Sequence, residues 1–329
     1  MTPPLTMIGM SGPVSSLTGG ESDPEFDFLL VGGGGRGGRT PSNTTATTCA
    51  GGGGAGGVLV VTNEIISVSQ VIYCEVAATG TDDFGPGNST YLRQDTSSGT
   101  VLHYIKGGGK GASEYSSSTN DATYTANPFG ASGGGGAGQY HNDGASSGSY
   151  GNGGGLGGSS QGGGGGGGFG SAGQDRDFFG GAGSGGSGYS LSNFFSLLDG
   201  FVAGGGGGGG ATYSTQTGYV YENAGSGNAG GGDGGYQGSV GGDATDNTGS
   251  GGGGASAYYS GTWPNATTSY RTGGDGGSGV IYLKYISDTQ LFSYSGTQTV
   301  NSYIVSSGGG TKKYWIHKLT TSGQLTRTS

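Results

Sequence analysis

Three histidines and a few acidic clusters are the residues of this sequence whose side chains could support catalysis. His103, His141 and His317 lie far apart along the chain, without the short spacing that links metal ligands. The pattern G-x-S-x-G occurs at residues 144–148, but it lacks the preceding strand and the following helix of a nucleophile elbow. Asp175-Arg176-Asp177 is more typical of a local ion pair than of catalytic carboxylates. We therefore predict no enzyme activity and no catalytic residue.

Two ligand-binding motifs that occur in glycine-rich sequences are incomplete here. A phosphate-binding loop needs Ser or Thr after Gly-Lys, but Lys110 is followed by glycine. The calcium-binding repeat G-G-x-G-x-D fails at both of its partial matches, around Asp233 and Asp243. A lone calcium ion at Asp233, Asp243 or Asp246 stays open, although turn formation and solubility explain the same residues. We predict no cofactor and no metal site.

Aromatic residues in two polar loops are the main candidates for molecular recognition. The loops span residues 211–224 and 255–272. Tyr and Trp offer a large contact area at small conformational cost, with a polar group for orientation. The same residues could equally cover the sides of a glycine-rich scaffold. The candidate binding residues are Tyr213, Tyr219, Tyr221, Tyr258, Tyr259, Trp263 and Tyr270.

Glycine runs must position these loops, because glycine dominates the composition. The 329 residues include 88 Gly, with 12 Lys and Arg and 21 Asp and Glu. Such a composition is typical of flexible linkers. However, the chain also has 20 Tyr and 11 Phe, residue types that disordered tracts avoid. An ordered glycine run has no side chain to bury, so its backbone groups need partners.

The run at residues 204–210, seven consecutive glycines, indicates how such a segment could become ordered. Polyproline-II geometry points every backbone N–H and C=O outwards, so glycine helices of this type can pack side by side. A seven-residue run would span roughly 22 Å. We predict a bundle of polyglycine-II helices in which this block is surrounded by others. Gly207→Val should then disrupt the fold, whereas Leu156→Ala, in an interrupted outer block, should be mild.

Charge and cysteine content limit the possible partners. The net charge of −9 argues against a nucleic-acid surface. Residues 280–329 are locally basic, and this end could dock on an acidic surface or remain solvated. The sequence predicts no secretion signal and no membrane-spanning run. Cys49 and Cys74 could form one bridge, but free thiols are the expected state.

The sequence divides into three parts. Residues 1–25 predict an extended leader, 26–285 a glycine-rich domain with a β-rich insert at 58–106, and 286–329 a small β extension. The fold class is therefore mostly irregular and β: a polyglycine-II bundle with connecting loops, a flanking small β-sheet and essentially no α-helix.

If each glycine block crosses the bundle once, the loops sort to alternate ends. One end then collects residues 139–150, 169–179, 211–224 and 255–272, and the other collects 39–50, 112–132 and 189–203.

The arrangement of strands and glycine blocks resembles a known family. The features are Phe28-Leu29-Leu30-Val31 running into residues 32–35, the GGGGAGG of residues 51–57, and the closing GGDGGSGVIYLKY of residues 273–285. This order, which covers residues 26–285, resembles the glycine-rich domain of bacteriophage tail fibres and adhesins. The architecture is also similar, more loosely, to the fibre-tip adhesins of T-even phages, in which a polyglycine-II sandwich displays receptor-binding loops.

The resemblance implies a virion protein of the tail fibre or tail tip, assembled in the host cytoplasm. Its implied partners are other tail proteins and a bacterial surface glycan or outer-membrane protein, and a homotrimer is one expected assembly. The aromatic loop residues would then bind the receptor. The alternative is a virion connector or decoration protein that makes only protein–protein contacts.

Overall fold

The computed structural model describes residues 24–40, 49–80, 86–113, 131–138, 147–158, 162–177, 181–210, 212–215, 218–221, 223–260, 267–307 and 310–328. Its regular elements are β1 (Glu25–Val31), β2 (Val58–Ile65), β3 (Val71–Glu75), β4 (Thr90–Gln94), β5 (Val101–Ile105), β6 (Tyr189–Ser190), a 3-10 helix (Leu191–Asn193), β7 (Phe201–Val202), β8 (Thr212–Thr215), β9 (Gly218–Tyr221), β10 (Tyr258–Ser260), β11 (Thr267–Ser269), β12 (Val280–Ile286), β13 (Phe292–Tyr294), β14 (Gln298–Ser307), β15 (Gly310–Leu319) and β16 (Gly323–Arg327). These residues contain no α-helix, so the predicted irregular and β character is confirmed.

Ten of the strands form two antiparallel five-stranded sheets. One sheet has the order β14-β15-β12-β1-β2 and the other β13-β16-β3-β4-β5. The sequence predicts a small sheet beside the glycine region, but the observed sheets are larger because residues 286–329 contribute to both. β15 pairs with β12, and β16 pairs with β3 from the 58–106 insert.

Apolar side chains from both sheets meet in one core, so the two sheets form a β-sandwich. Phe26 and Tyr285 come from the first sheet and Phe292 from the second, and their rings pack edge to face at 5.0–5.7 Å between centroids. Alternate residues of β3 and β4, including Ile72 and Leu92, are buried against them. This period-2 pattern is what one buried sheet face requires.

The first sheet is also buried on its outer face, which explains the continuous apolar run of β1. Leu29 and Val31 point away from the sandwich core and pack with Phe194, Phe195 and Val202. The segment 189–203 therefore lies over this face of the sheet.

Glycine-rich segments fill the rest of the described chain and are hydrogen-bonded laterally to one another. They have no helix or ladder pairing, and they comprise residues 32–39, 49–57, 106–113, 131–138, 151–158, 162–168, 171–177, 181–188, 204–210, 223–228, 231–235, 239–245, 249–257 and 272–279. We call them the glycine segments and their assembly the bundle.

Segment 204–210 shows the hydrogen-bonding rule most clearly, because N–H groups three residues apart donate to the same neighbouring segment. Gly205 and Gly208 donate to Gly186 and Gly183, Gly206 and Gly209 to Gly53 and Ala50, and Gly207 and Gly210 to Gly232 and Gly235. The carbonyls follow the same period towards three further segments, 162–168, 223–228 and 249–257. The all-glycine block is thus surrounded on six sides.

Four segments are enclosed in this way, and we call them the interior segments: 49–57, 162–168, 204–210 and 249–257. At most glycine positions of these segments, neighbouring backbones leave no room for a side chain, whereas buried Ala50, Ala55 and Ala255 mark places where a small one fits. A Cβ on Gly207, for example, would lie 2.0 Å from the carbonyl oxygen of Gly225. By contrast, Leu156 interrupts the outer segment 151–158 and is 46% exposed, as the sequence predicts.

The bundle has two ends, and the sequence sorts the loops between them only in part. β1 enters segment 32–39 from the β-sandwich, so residue 39 marks the opposite end, which we call the loop end. Thr40 pairs with Arg271 and Cys49 with Ser256, so the described parts of 39–50 and 255–272 lie at the same end, and the prediction that separated these two loops is wrong. Residues 189–203 lie at the sandwich end, as predicted.

Two deviations from simple alternation explain the error. Segments 106–113 and 131–138 run in the same direction, since Gly109 and Ala112 donate to Ser132 and Gly135 in matching order. Residues 151–177 also cross the bundle three times, with a turn at Phe169, whose ring packs against the sandwich side. The start of 169–179 is therefore at the sandwich end, contrary to prediction, and 139–150 and 112–132 lie partly outside the described residues.

Candidate functional site

Two short hairpins stand side by side at the loop end of the bundle. β8 follows interior segment 204–210 and pairs with β9, while β10 follows interior segment 249–257 and pairs with β11. The two supporting segments are direct neighbours, because Gly251 and Gly254 donate to Gly204 and Gly207 at 2.9 Å. β8 accordingly packs beside β10. The bundle thus brings together two loops that are distant in sequence.

The hairpins contain most of the predicted binding residues. Tyr213 is in β8, Tyr219 and Tyr221 are in β9, Tyr258 and Tyr259 are in β10, and Tyr270 directly follows β11. Trp263 lies outside the described residues. The predicted common location of loops 211–224 and 255–272 is therefore confirmed for their described parts.

Strand register distributes the tyrosine positions over both faces of each hairpin. Ser214 is opposite Tyr219 and Thr212 is opposite Tyr221, so positions 219 and 221 share a face and position 213 is on the other. Positions 258 and 259 are consecutive and fall on opposite faces of the second hairpin.

The base of the second hairpin is tied to its surroundings by two arginines. The Arg271 Nε donates to the carbonyl of Gly238 at 2.7 Å, and its backbone bridges to Thr40. The Arg39 guanidinium lies 5.9 Å from the centroid of the Tyr270 ring, within cation–π range. Tyr270 itself is 40% exposed. Sequence reasoning missed both arginines, although the motif Arg36-Gly37-Gly38-Arg39 marks one of them.

A third turn adds exposed apolar surface at the loop end. Tyr236 is 43% exposed and Val240 is 54% exposed, on either side of a turn in which the backbone N–H of Tyr236 donates to the Ser239 Oγ. This turn contacts the second hairpin through the Gly238 carbonyl. In the sequence, Tyr236 directly follows a glycine block, but other tyrosines do so as well. This signal alone therefore does not predict that Tyr236 is exposed at the loop end.

Acidic residues on outer segments satisfy backbone donors rather than gathering around a metal ion. The Oδ1 of Asp233 accepts from Gly227 N–H and that of Asp243 from Asp275 N–H, both at 2.8 Å. The Oδ1 of Asp246 accepts from the Thr79 hydroxyl at 3.0 Å. In the described part of the chain, no three His, Cys, Asp or Glu side chains are grouped to hold a metal ion.

The carboxylates of Asp175 and Asp177 have comparable structural roles. The Asp175 Oδ1 accepts from Leu156 N–H at 2.7 Å, and the Asp177 Oδ1 accepts from Gly181 N–H at 2.8 Å. Each carboxylate therefore links one outer glycine segment to another.

The described histidines lie in the β-sandwich, away from the hairpins. His317 is fully buried, with its Nε2 3.0 Å from the Tyr285 hydroxyl and its Nδ1 2.9 Å from the Gln298 Oε1. Burial lowers the pKa of His317 from 6.5 to about 4 and raises that of Tyr285 to about 12. His103 contacts Glu64, and His141 lies outside the described residues.

Both cysteines are buried free thiols, as expected. Burial raises the pKa of the Cys74 thiol, which keeps it protonated and unreactive.

A cavity of about 640 Å³ lies where the second sheet meets the bundle, with Glu75, Asn88 and Tyr91 among its lining residues. Two of its polar side chains have partners within the protein. The Asn88 amide donates to Ala78 O, and the Glu75 carboxylate pairs with Arg93 at 2.9 Å. Among the described residues that line it there is no histidine and no cysteine.

The chain matches no protein-family model, no curated protein and no solved structure. Among the described residues, no helix is long and apolar enough to cross a membrane. The geometry of the chain itself must therefore support any functional assignment.

Proposed function

We propose that this protein is a bacteriophage tail-fibre or tail-tip adhesin, in which a rigid scaffold displays loops that bind a bacterial surface receptor. The observation that carries the proposal is the pair of tyrosine-containing hairpins that extend from two neighbouring interior segments, at the end of the bundle opposite the β-sandwich. The proposed location is the virion, and the proposed receptor is a surface glycan or an outer-membrane protein.

We further propose that the glycine segments are polyglycine-II helices. The three-residue period of their lateral hydrogen bonds supports this geometry, because a helix with three residues per turn returns to the same neighbour at every third residue. Six neighbours around one segment are also what close packing of cylinders gives. Parallel and antiparallel neighbours coexist around segment 204–210, as outward-pointing donors and acceptors allow.

Rigidity is the mechanism by which such a scaffold would support binding. An interior segment is held by hydrogen bonds along its whole length, so a hairpin that starts from it has a fixed base. A loop that is ordered before binding loses less conformational entropy when it meets its receptor. Tyrosine side chains add contact area with few rotatable bonds.

The test compares purified protein with a loop variant on intact bacteria. The triple variant Tyr258→Ala, Tyr259→Ala, Trp263→Ala should lose most cell binding while keeping the unfolding midpoint of the unchanged protein. Leu156→Ala, an exposed change on the side of the bundle, is the matched control and should bind normally. Equal binding by the triple variant would exclude this location of the site.

The alternative function, a virion connector or decoration protein, predicts a different pattern. The unchanged protein would then bind phage particles that lack it, but would not bind cells of any susceptible strain. That result would overturn the adhesin proposal.

A further inference from the structure

The outer edge of β14 is an unpaired sheet edge for which the described part of the fold provides no protection. β14 is an edge strand of the first sheet, ten residues long, and pairs with β15 without a register shift. It contains no charged residue and no proline. Natural edge strands are usually short, bulged, charged or covered, because an open edge recruits other strands.

The other edges of the two sheets show such protection. β13 has only three residues. β2 has a register shift against β1 and includes Asn63 with φ of 60°. β5 has a register shift against β4. β14 is therefore the one long, regular and uncharged edge among the described strands of the sandwich.

Backbone contacts identify which residues of β14 face outwards. The carbonyl of Lys313 on β15 accepts from Ser287 N–H, so it points away from β14. Its cross-strand neighbour Ile304 must then turn its own N–H and C=O away from β15, because antiparallel pairs alternate. By the same alternation, Val300 and Ser302 also direct their backbone groups to the open edge.

Apolar exposure coincides with this edge. Ile304 is 70% exposed, the highest value among the described large hydrophobic side chains. Val300 lies four residues away on the same face of the strand. An occupant of the edge would therefore gain both backbone hydrogen bonds and contact with Ile304.

We propose that this edge pairs with β14 of a second copy of the chain, in antiparallel register about a two-fold axis at Ser302. This register pairs all five outward-facing residues of residues 298–306 with those of the second copy, and places Ile304 opposite Val300 of the second copy twice. It forms about ten backbone hydrogen bonds, the number typical of a specific interface. The two first sheets then join into one continuous sheet.

A second copy fits this edge because β14 has no charged residue, so two paired β14 strands do not repel each other. The lysines of β15 are one strand further in. In the proposed register, Lys312 and Lys318 of the second copy are separated by three strand spacings, about 14 Å. That distance exceeds the Debye length of about 8 Å at physiological ionic strength. An acidic extended peptide from another protein is the competing occupant, which these lysines would attract.

The first test is the mass of the full chain by size-exclusion chromatography with light scattering. The unchanged protein should have the mass of two copies, and Ile304→Lys should have the mass of one. Ile65→Lys, at a 62% exposed position on the opposite edge of the same sheet, is the matched control and should remain dimeric. A mass of one copy at every concentration, the mass of a trimer, or a dimeric Ile304→Lys variant would overturn the proposal.

The second test reads the register directly. Ser302→Cys should form a disulfide-linked dimer under mild oxidation, because residues that face each other across the axis are about 5.5 Å apart at Cα. The native Cys49 and Cys74 are buried and give no background. Ser293→Cys, at an exposed position of β13, is the control and should stay monomeric on denaturing gels. Equal cross-linking of the two variants would refute the two-fold axis at Ser302.

Discussion

The central prediction concerns the lack of room for a side chain at enclosed glycine positions, and Gly207→Ala is its simplest test. Ala adds a single carbon, which would lie 2.0 Å from the Gly225 carbonyl oxygen. Contacts below 3.0 Å are essentially never observed for Cβ atoms, so one segment must move by about 1 Å. Gly207→Val enlarges the same clash.

The cost follows from what that movement disturbs. Segments 204–210 and 223–228 share hydrogen bonds from Gly225 to Gly208 and from Asn228 to Gly205, at 2.9 and 3.0 Å. Each bond contributes about 0.5–1.5 kcal/mol to stability. Overpacking adds about 1–3 kcal/mol. The free energy of unfolding should therefore fall by about 2–6 kcal/mol, a large part of the usual total of about 5–15 kcal/mol.

Gly242→Ala is the matched control, because the same change is made on an exposed outer segment. Its Cβ would be 3.1 Å from the nearest backbone atom, so a small adjustment suffices. Alanine also lowers the conformational entropy of the unfolded chain, which offsets part of the cost of this adjustment. We expect a change below about 1 kcal/mol, measured by urea unfolding followed by tryptophan fluorescence. Equal unfolding midpoints for the two variants would refute the close-packed interior.

Three further predictions test other parts of the molecule. His317 has a pKa of about 4 in the folded protein, whereas a histidine of the unfolded chain binds a proton near pH 6.5. Protonation therefore favours the unfolded chain as the pH falls. The free energy of unfolding should be highest above pH 6.5 and fall by up to about 3 kcal/mol between pH 6.5 and 4. Urea midpoints across this range should show that loss, and His317→Gln should flatten it; an unchanged slope would contradict the assignment. Leu156→Ala should lower the thermal midpoint by less than about 2 °C, since the side chain is 46% exposed. Asp27→Asn should cost about 3 kcal/mol, because it leaves Lys284 without its carboxylate partner at 2.8 Å in a largely buried ion pair; a neutral result in calorimetry would contradict this.

The sequence predicts strands well where apolar residues adjoin glycine blocks. Phe26 to Val31 and Val280 to Tyr285 both form strands that enter or leave the bundle. These strand signals are local, so they need no knowledge of the whole fold. The common end of the two tyrosine-containing loops is predicted instead by counting one crossing for each glycine block.

The number of times the chain crosses the bundle and the pairing of the strands depend on contacts between residues distant in sequence. The sequence is less informative about these features. Turns such as the one at Phe169 occur within glycine-rich stretches that look continuous, so the number of crossings is underestimated. Pairing of β16 with β3 joins residues about 250 positions apart, which no local pattern encodes. Arg39 and Arg271 become site residues only because Thr40 and Arg271 meet across the bundle.

The period of three in the lateral hydrogen bonds creates a degenerate register. In the proposed polyglycine-II geometry, an all-glycine segment that slides by three residues, about 9 Å, meets the same kinds of donors and acceptors as before. Nothing within segment 204–210 distinguishes the two positions. The alignment must be fixed at its ends, where buried Ala203 packs against the sandwich side and β8 begins the hairpin. Residues that flank a glycine run thus fix its position along the bundle axis. A deletion of three glycines should therefore shift the attached hairpin along this axis.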